Sequence, residues 1–137
     1  LWFGAVLDRL LGNVTVVKEF YDSRTELISN TTDKTAVVSI TFARYTKWTF
    51  RYTQLLKRRG AKILTITDSI LAPVVEIADE ALVADSNKDE MGFNSVVCLN
   101  VLFDMLIAKV QEKKKNKISG RLKVLEEVYT DMDLFFE

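Results

Sequence analysis

The chain has 137 residues, with 19 Lys+Arg balanced by 19 Asp+Glu and no His. A hydrophobic share of 48% with 28% charged residues describes a globular chain of one domain, residues 1–137, rather than a disordered one. The single Cys excludes an internal disulfide framework, the lack of His removes the commonest general base and transition-metal ligand, and zero net charge argues against a nucleic-acid contact spread over the whole surface.

The chain opens on an apolar helical pattern, with Trp2, Val6, Leu7, Leu10 and Leu11 at helix spacing and Gly12-Asn13 as the stop. Asp8 and Arg9 interrupt it. It lacks both a basic leader and a signal-cleavage site, and no apolar run approaches the ~20 residues of a membrane span. So apolar a start, without Met, leads us to expect a segment before it. Val14–Val17 is β-branched and reads as a first strand. Ser23 with Glu26 three residues on reads as the cap of a short helix to about Ile28. Asn30–Lys34 is a polar loop, and residues 36–41 form a nearly continuous apolar run, as expected of a strand buried on both faces. Thr46 caps a helix to about Arg59, with Trp48, Tyr52, Leu55 and Leu56 as its apolar face and Gly60 as its stop. Residues 62–67 are a buried strand, Asp68-Ser69 a turn, Pro73 the start of a short helix, and 80–83 a fourth strand. After a polar loop over 85–90, a long helix runs from about Phe93 to Lys113. The Lys-rich run 113–117 breaks it, and a final amphipathic helix carries Leu122, Leu125, Val128 and Tyr129.

Strands alternating with helices imply an α/β fold: a three-layer α-β-α sandwich around a mostly parallel sheet. In such sheets ligands bind beyond the C-terminal ends of the strands. Two loops fall there. Thr41–Thr46 joins a buried strand to a helix start, and the helix N–H groups with Thr46 and Arg44 can hold an anion such as phosphate. They serve equally well as a plain cap and a solvated charge. Thr67–Pro73 brings Asp68 and Ser69 to the same crevice, or merely to a turn. Cys98 falls on the apolar face of a helix, where packing is its expected role. Glu76, Asp79 and Glu80 form no acid/base pair. Asp85, Asp89 and Glu90 lack a calcium-loop pattern, and the Lys run is a solvated helix end. No metal or cofactor is expected.

The stretch Arg59-Gly60-Ala61-Lys62-Ile63-Leu64-Thr65-Ile66-Thr67-Asp68-Ser69, followed by Ala72-Pro73 and Ile77-Ala78-Asp79, resembles the core of a SIS (sugar isomerase) domain. Within that group it is similar to the effector domains of RpiR/MurR-type bacterial transcription regulators, some of which carry an Arg-Tyr-Ser/Thr turn matched here by Arg44-Tyr45-Thr46. The resemblance is strong over residues 35–83 and looser elsewhere, including Phe93-Asn94-Ser95. It implies a phosphosugar-binding module in a homodimer or higher oligomer, in the cytoplasm and away from membranes. DNA would be contacted only through a helix-turn-helix domain not present in this chain. The family's opening strand and Gly/Ser-rich loop are also missing.

The family's Ser-x-Ser-Gly-x-Thr turn maps onto Thr41–Thr46. Thr41 and Thr46 keep the first and last hydroxyls, Ala43 lacks the middle one, and Arg44 replaces the Gly that lets backbone approach phosphate. The site implied by the resemblance is Thr41, Arg44, Thr46, Asp68 and Ser69. Isomerases of the family draw on acid/base residues, often His, that this chain lacks, so a non-enzymatic sensor is expected. A module kept only for oligomerisation is the alternative, followed by a sugar-phosphate isomerase.

Overall fold

The computed structural model describes residues 2–18, 25–84 and 96–135. The helices are α1 (Trp2–Leu11), α2 (Thr25–Ser29), α3 (Lys47–Arg58), α4 (Val97–Lys113) and α5 (Lys115–Asp131), with a 3-10 helix over Pro73–Ile77. The strands are β1 (Ala36–Ile40), β2 (Lys62–Thr67) and β3 (Glu80–Val83), all parallel in the order β1-β2-β3. The α/β class with a parallel sheet is thus what the chain adopts. It divides into two compact units: residues 17–99, which hold the sheet, and residues 1–16 with 100–137, which are helical.

In the sheet unit β2 is the central strand. Its alternation is nearly lost because neighbours cover both faces: Ile63, Thr65, Ile66 and Thr67 are all buried. Leu56, Ala61 and Ile63 form a small core against which Ile28, Val37, Tyr52 and Ala78 pack. Buried hydroxyls are paired rather than stranded. Ser39 shares a hydrogen bond with Thr53 of α3 at 3.0 Å, and Thr65 donates to the Ser39 carbonyl at 3.2 Å. Gly60 takes φ +99° directly after α3, and a Cβ there would stand 3.3 Å from the Asp33 backbone, so this stop needs glycine on both counts. At the start of β2, Asp79 accepts the Ile63 N–H at 2.7 Å and the Lys57 ammonium at 2.7 Å. The Ile63 N–H, then Lys57, hold the Asp79 carboxyl below the usual carboxylate range.

In the helical unit Phe3 stacks on Phe103 with ring centroids 4.3 Å apart. Arg121 donates to the carbonyls of Arg9 (2.9 Å) and Asp8 (3.4 Å), and Arg9 lies over the Tyr129 ring.

Four expectations change. Val14–Val17 is not a strand: Val14 N–H donates to the Asp8 carboxylate and Val16 packs on Gly4, so this β-branched run folds back on α1 instead of finding a sheet edge. The described sheet therefore has three strands, not four. β1 is not covered on both faces: Val37 and Ser39 face α3, while Val38 and Ile40, on the opposite face, are exposed. The buried stripe of α1 is centred on Phe3 and Leu10, and Trp2 is 55% exposed. Cys98 is exposed rather than packed. Ser23, the 85–90 loop with Asp85, Asp89 and Glu90, and Phe93-Asn94-Ser95 lie outside the described residues. The break at the Lys run is as expected, with α4 ending at Lys113 and α5 beginning at Lys115.

Candidate functional site

The turn after β1 is tied down from β2. Thr41 N–H donates to the Ile66 carbonyl at 3.0 Å, which extends the ladder one residue beyond β1. Asp68, immediately after β2, reaches across to the turn. Its Oδ2 accepts the Ala43 N–H at 3.1 Å and its Oδ1 accepts the Tyr45 hydroxyl at 2.8 Å, with the Thr67 hydroxyl at 3.4 Å. Burial opposes the charge on Asp68, yet the bonds from Tyr45 and Ala43 outweigh it and hold its carboxyl below the usual range. The same bond to Asp68 pushes the Tyr45 hydroxyl up. Both directions describe a carboxylate locked to a protonated phenol.

Thr46 has extended backbone (φ −90°, ψ 141°), and its Oγ1 accepts the Thr49 N–H at 3.3 Å and shares a hydrogen bond with the Thr49 hydroxyl at 3.0 Å. It is a true N-cap. The N–H groups of Lys47 and Trp48, in the first turn of α3, have no intrahelical acceptor. Ser69 closes its own loop, accepting the Leu71 N–H on Oγ at 3.1 Å and the Ala72 N–H on its carbonyl at 3.1 Å.

Between these parts lies a cavity of about 340 Å³. Thr41, Tyr45 and Thr46 of the turn, Lys47, Phe50, Arg51 and Gln54 of α3, and Pro73 and Val74 of the 3-10 helix line it. Lys47 and Arg51 are the charged members of this lining, and no carboxylate joins them among the described residues. The partial positive charge of the α3 N-terminus adds to theirs. A larger hollow, about 440 Å³, lies on α4 and α5, where Lys115 and Lys123 alternate with Glu126. Among the described residues no three His, Cys, Asp or Glu side chains are grouped to hold a metal ion. No helix there is long and apolar enough to cross a membrane.

Of the residues expected at the site, Thr41 and Thr46 line the cavity, while Arg44 is exposed on the turn outside it. Asp68 and Ser69 do not line it either: the first braces the turn, the second its own loop. The α3 members were missed. Their signal was present, since positions 47, 50, 51 and 54 recur at i, i+3, i+4 and i+7 and so share one helix face. Attention to the apolar face through Trp48, Tyr52, Leu55 and Leu56 hid it.

The model of the SIS domain family matches residues 3–109. No curated protein matches the chain in sequence. Among solved structures, the fold is similar to the sugar isomerase domain of an RpiR transcription factor from Sphaerobacter thermophilus, with TM-score 0.81 and 24% identity over 92% of this chain and 70% of that one. It is also similar to the Vibrio vulnificus NanR protein complexed with ManNAc-6P, with TM-score 0.70 and 17% identity over 96% of this chain and 50% of that one. A hypothetical protein of known structure is matched with TM-score 0.62 and 20% identity, over 88% and 68% of the two chains.

Proposed function

Because the chain belongs to the SIS domain family, we propose that it is the phosphosugar-sensing effector domain of a bacterial transcription regulator of the RpiR type. The observation that carries this reading is the cavity beyond β1 and β2, lined by Lys47 and Arg51 with no carboxylate among the described residues and set against the N-terminus of α3. That charge pattern suits a phosphorylated ligand, and the hydroxyls of Thr41 and Thr46 with Gln54 suit a sugar. Asp68 acts by holding the turn, and Arg44 and Ser69 stand outside the cavity lining. The similarity to a fold crystallised with ManNAc-6P supports the same ligand class.

The domain binds its ligand without converting it. Aldose–ketose exchange needs a base to move a proton between adjacent carbons. The chain has no His, and among the described residues no carboxylate lines the cavity. In the full regulator the domain forms a homodimer in the cytoplasm. Ligand binding shifts that dimer between states, and DNA is contacted through a separate domain.

Isothermal titration of the chain against a panel of sugar 6-phosphates and the same sugars unphosphorylated tests the reading. We expect binding of at least one phosphorylated member and of no unphosphorylated one. Absence of binding at millimolar ligand would overturn it. An oligomer in light scattering, indifferent to every panel member, would then favour a module kept for oligomerisation alone.

A further inference from the structure

We infer that the ligand's anionic group is held in this chain by the side chains of Lys47 and Arg51 on α3, and not by the turn that precedes the helix. The inference rests on the ligand class proposed above and names the residues that decide it. Two of the turn's own donors are already committed. Ala43 N–H and the Tyr45 hydroxyl both point at Asp68, at 3.1 and 2.8 Å. A carboxylate of the protein thus occupies the place where a turn would present donors to an incoming anion. The side chain of Thr46 is engaged with Thr49. Arg44, the turn's cation, is exposed like Lys47 and Arg51 but lies outside the cavity lining.

Lys47 and Arg51 are placed differently. They stand at i and i+4, so both project from one face of α3, and that face lines the cavity. Among the described residues neither has an ion-pair partner, whereas Lys57 on the same helix is closed on Asp79 at 2.7 Å. Phe50 and Gln54 fill the spaces on that face, supplying a flat apolar wall and an amide. Cations with no internal carboxylate to neutralise them, bordering one cavity, attract a phosphoryl dianion. The guanidinium can grip two of its oxygens at once while the ammonium neutralises charge. Asp68 is the positioning residue of this arrangement: by taking up the Ala43 N–H and the Tyr45 hydroxyl it turns these two donors away from an incoming anion and favours the α3 face.

The test uses inorganic phosphate and glucose 6-phosphate as probes, titrated into the 15N-labelled chain and followed by amide chemical shifts and by calorimetry. Variants are Lys47→Gln, Arg51→Gln, Arg44→Gln, and Arg58→Gln as a charge control at the far end of α3. We expect shifts of the Lys47–Arg51 amides, about tenfold weaker binding in each of Lys47→Gln and Arg51→Gln, and less than about twofold in Arg58→Gln. Arg44→Gln is expected to fall between. If Arg44→Gln abolishes binding while Lys47→Gln and Arg51→Gln retain it, the inference is overturned and the sensor reading stands. If phosphate binds with the Lys47 and Arg51 dependence but glucose 6-phosphate binds no better than phosphate, the anion site stands and the sugar reading weakens. If neither probe perturbs α3, the inference fails. Matching melting temperatures across the variants confirm that lost binding is not lost folding.

Discussion

At the N-terminal end of α3, Lys47 and Arg51 border a cavity without an ion-pair partner among the described residues; at its C-terminal end Lys57 closes on Asp79, which also takes the Ile63 N–H. One helix thus carries cations of two kinds. Those near the cap have no carboxylate partner among the described residues. The one near the stop completes a junction between α3, β2 and the segment entering β3. The distinction lies in what the fold brings opposite each side chain. Residue type does not supply it, since Lys47 and Lys57 are chemically the same. It also explains how a chain of zero net charge can hold a locally positive cavity: no acidic residue among the described ones lines it.

The comparison breaks most readily by neutralising the cap end. The double variant Lys47→Gln/Arg51→Gln is expected to weaken sugar-phosphate binding about 100-fold, as two lost charge-assisted bonds would, with the melting temperature unchanged. Calorimetric titration beside thermal melting checks both halves. The stop end responds in the opposite sense. Gly60→Ala forces an L side chain to φ +99° against the Asp33 backbone and should cost about 1–2 kcal/mol of stability, measured by urea denaturation, with ligand affinity in the folded fraction intact.

Thr46→Ala removes the cap bond to Thr49 and should cost about 1 kcal/mol. Because it also loosens the first turn of α3, it is the one substitution expected to lower stability and affinity together. The smallest effect concerns acid. Asp79 is held below the usual carboxylate range by the Ile63 N–H and by Lys57. Its stabilisation is therefore present above the ordinary carboxylate pKa of about 3.9 and disappears as the pH falls through the lower folded value. Asp79→Asn should flatten the acid side of the melting-temperature profile and leave the neutral-pH phosphate affinity alone. Asp68 is shifted the same way, by Tyr45 and Ala43 against the pull of burial. Asp68→Asn should flatten the same acid limb but also disturb the turn amides.

Much of the architecture was legible because it follows from local rules. The apolar run of β2, the Thr46 cap, Gly60 after α3 and the Lys-rich break between α4 and α5 each have a short-range cause. The failures share a different origin. Val14–Val17 has strand propensity, but a strand needs an edge to pair with, and this segment instead bonds to Asp8 and packs on Gly4. β1 reads as doubly buried because its residues are apolar, yet only the Val37–Ser39 face meets α3, and which face is covered is a matter of packing that composition does not encode. At the site, a linear reading found the turn residues Thr41, Arg44 and Thr46. It could not foresee that Asp68 would reach back 25 positions to Ala43 and occupy the turn's donors. That long-range bond is what leads us to infer an anion contact on the α3 face and not on the turn.

The most direct test of the account is a structure of this chain with a bound sugar 6-phosphate. The account predicts the phosphoryl group in the cavity beside Lys47 and Arg51, the sugar toward Thr41 and Gln54, and the Asp68–Tyr45 bond intact. A phosphoryl group seated on the turn amides with Asp68 displaced, or a ligand in the hollow beside Ile118 and Ser119, would contradict it.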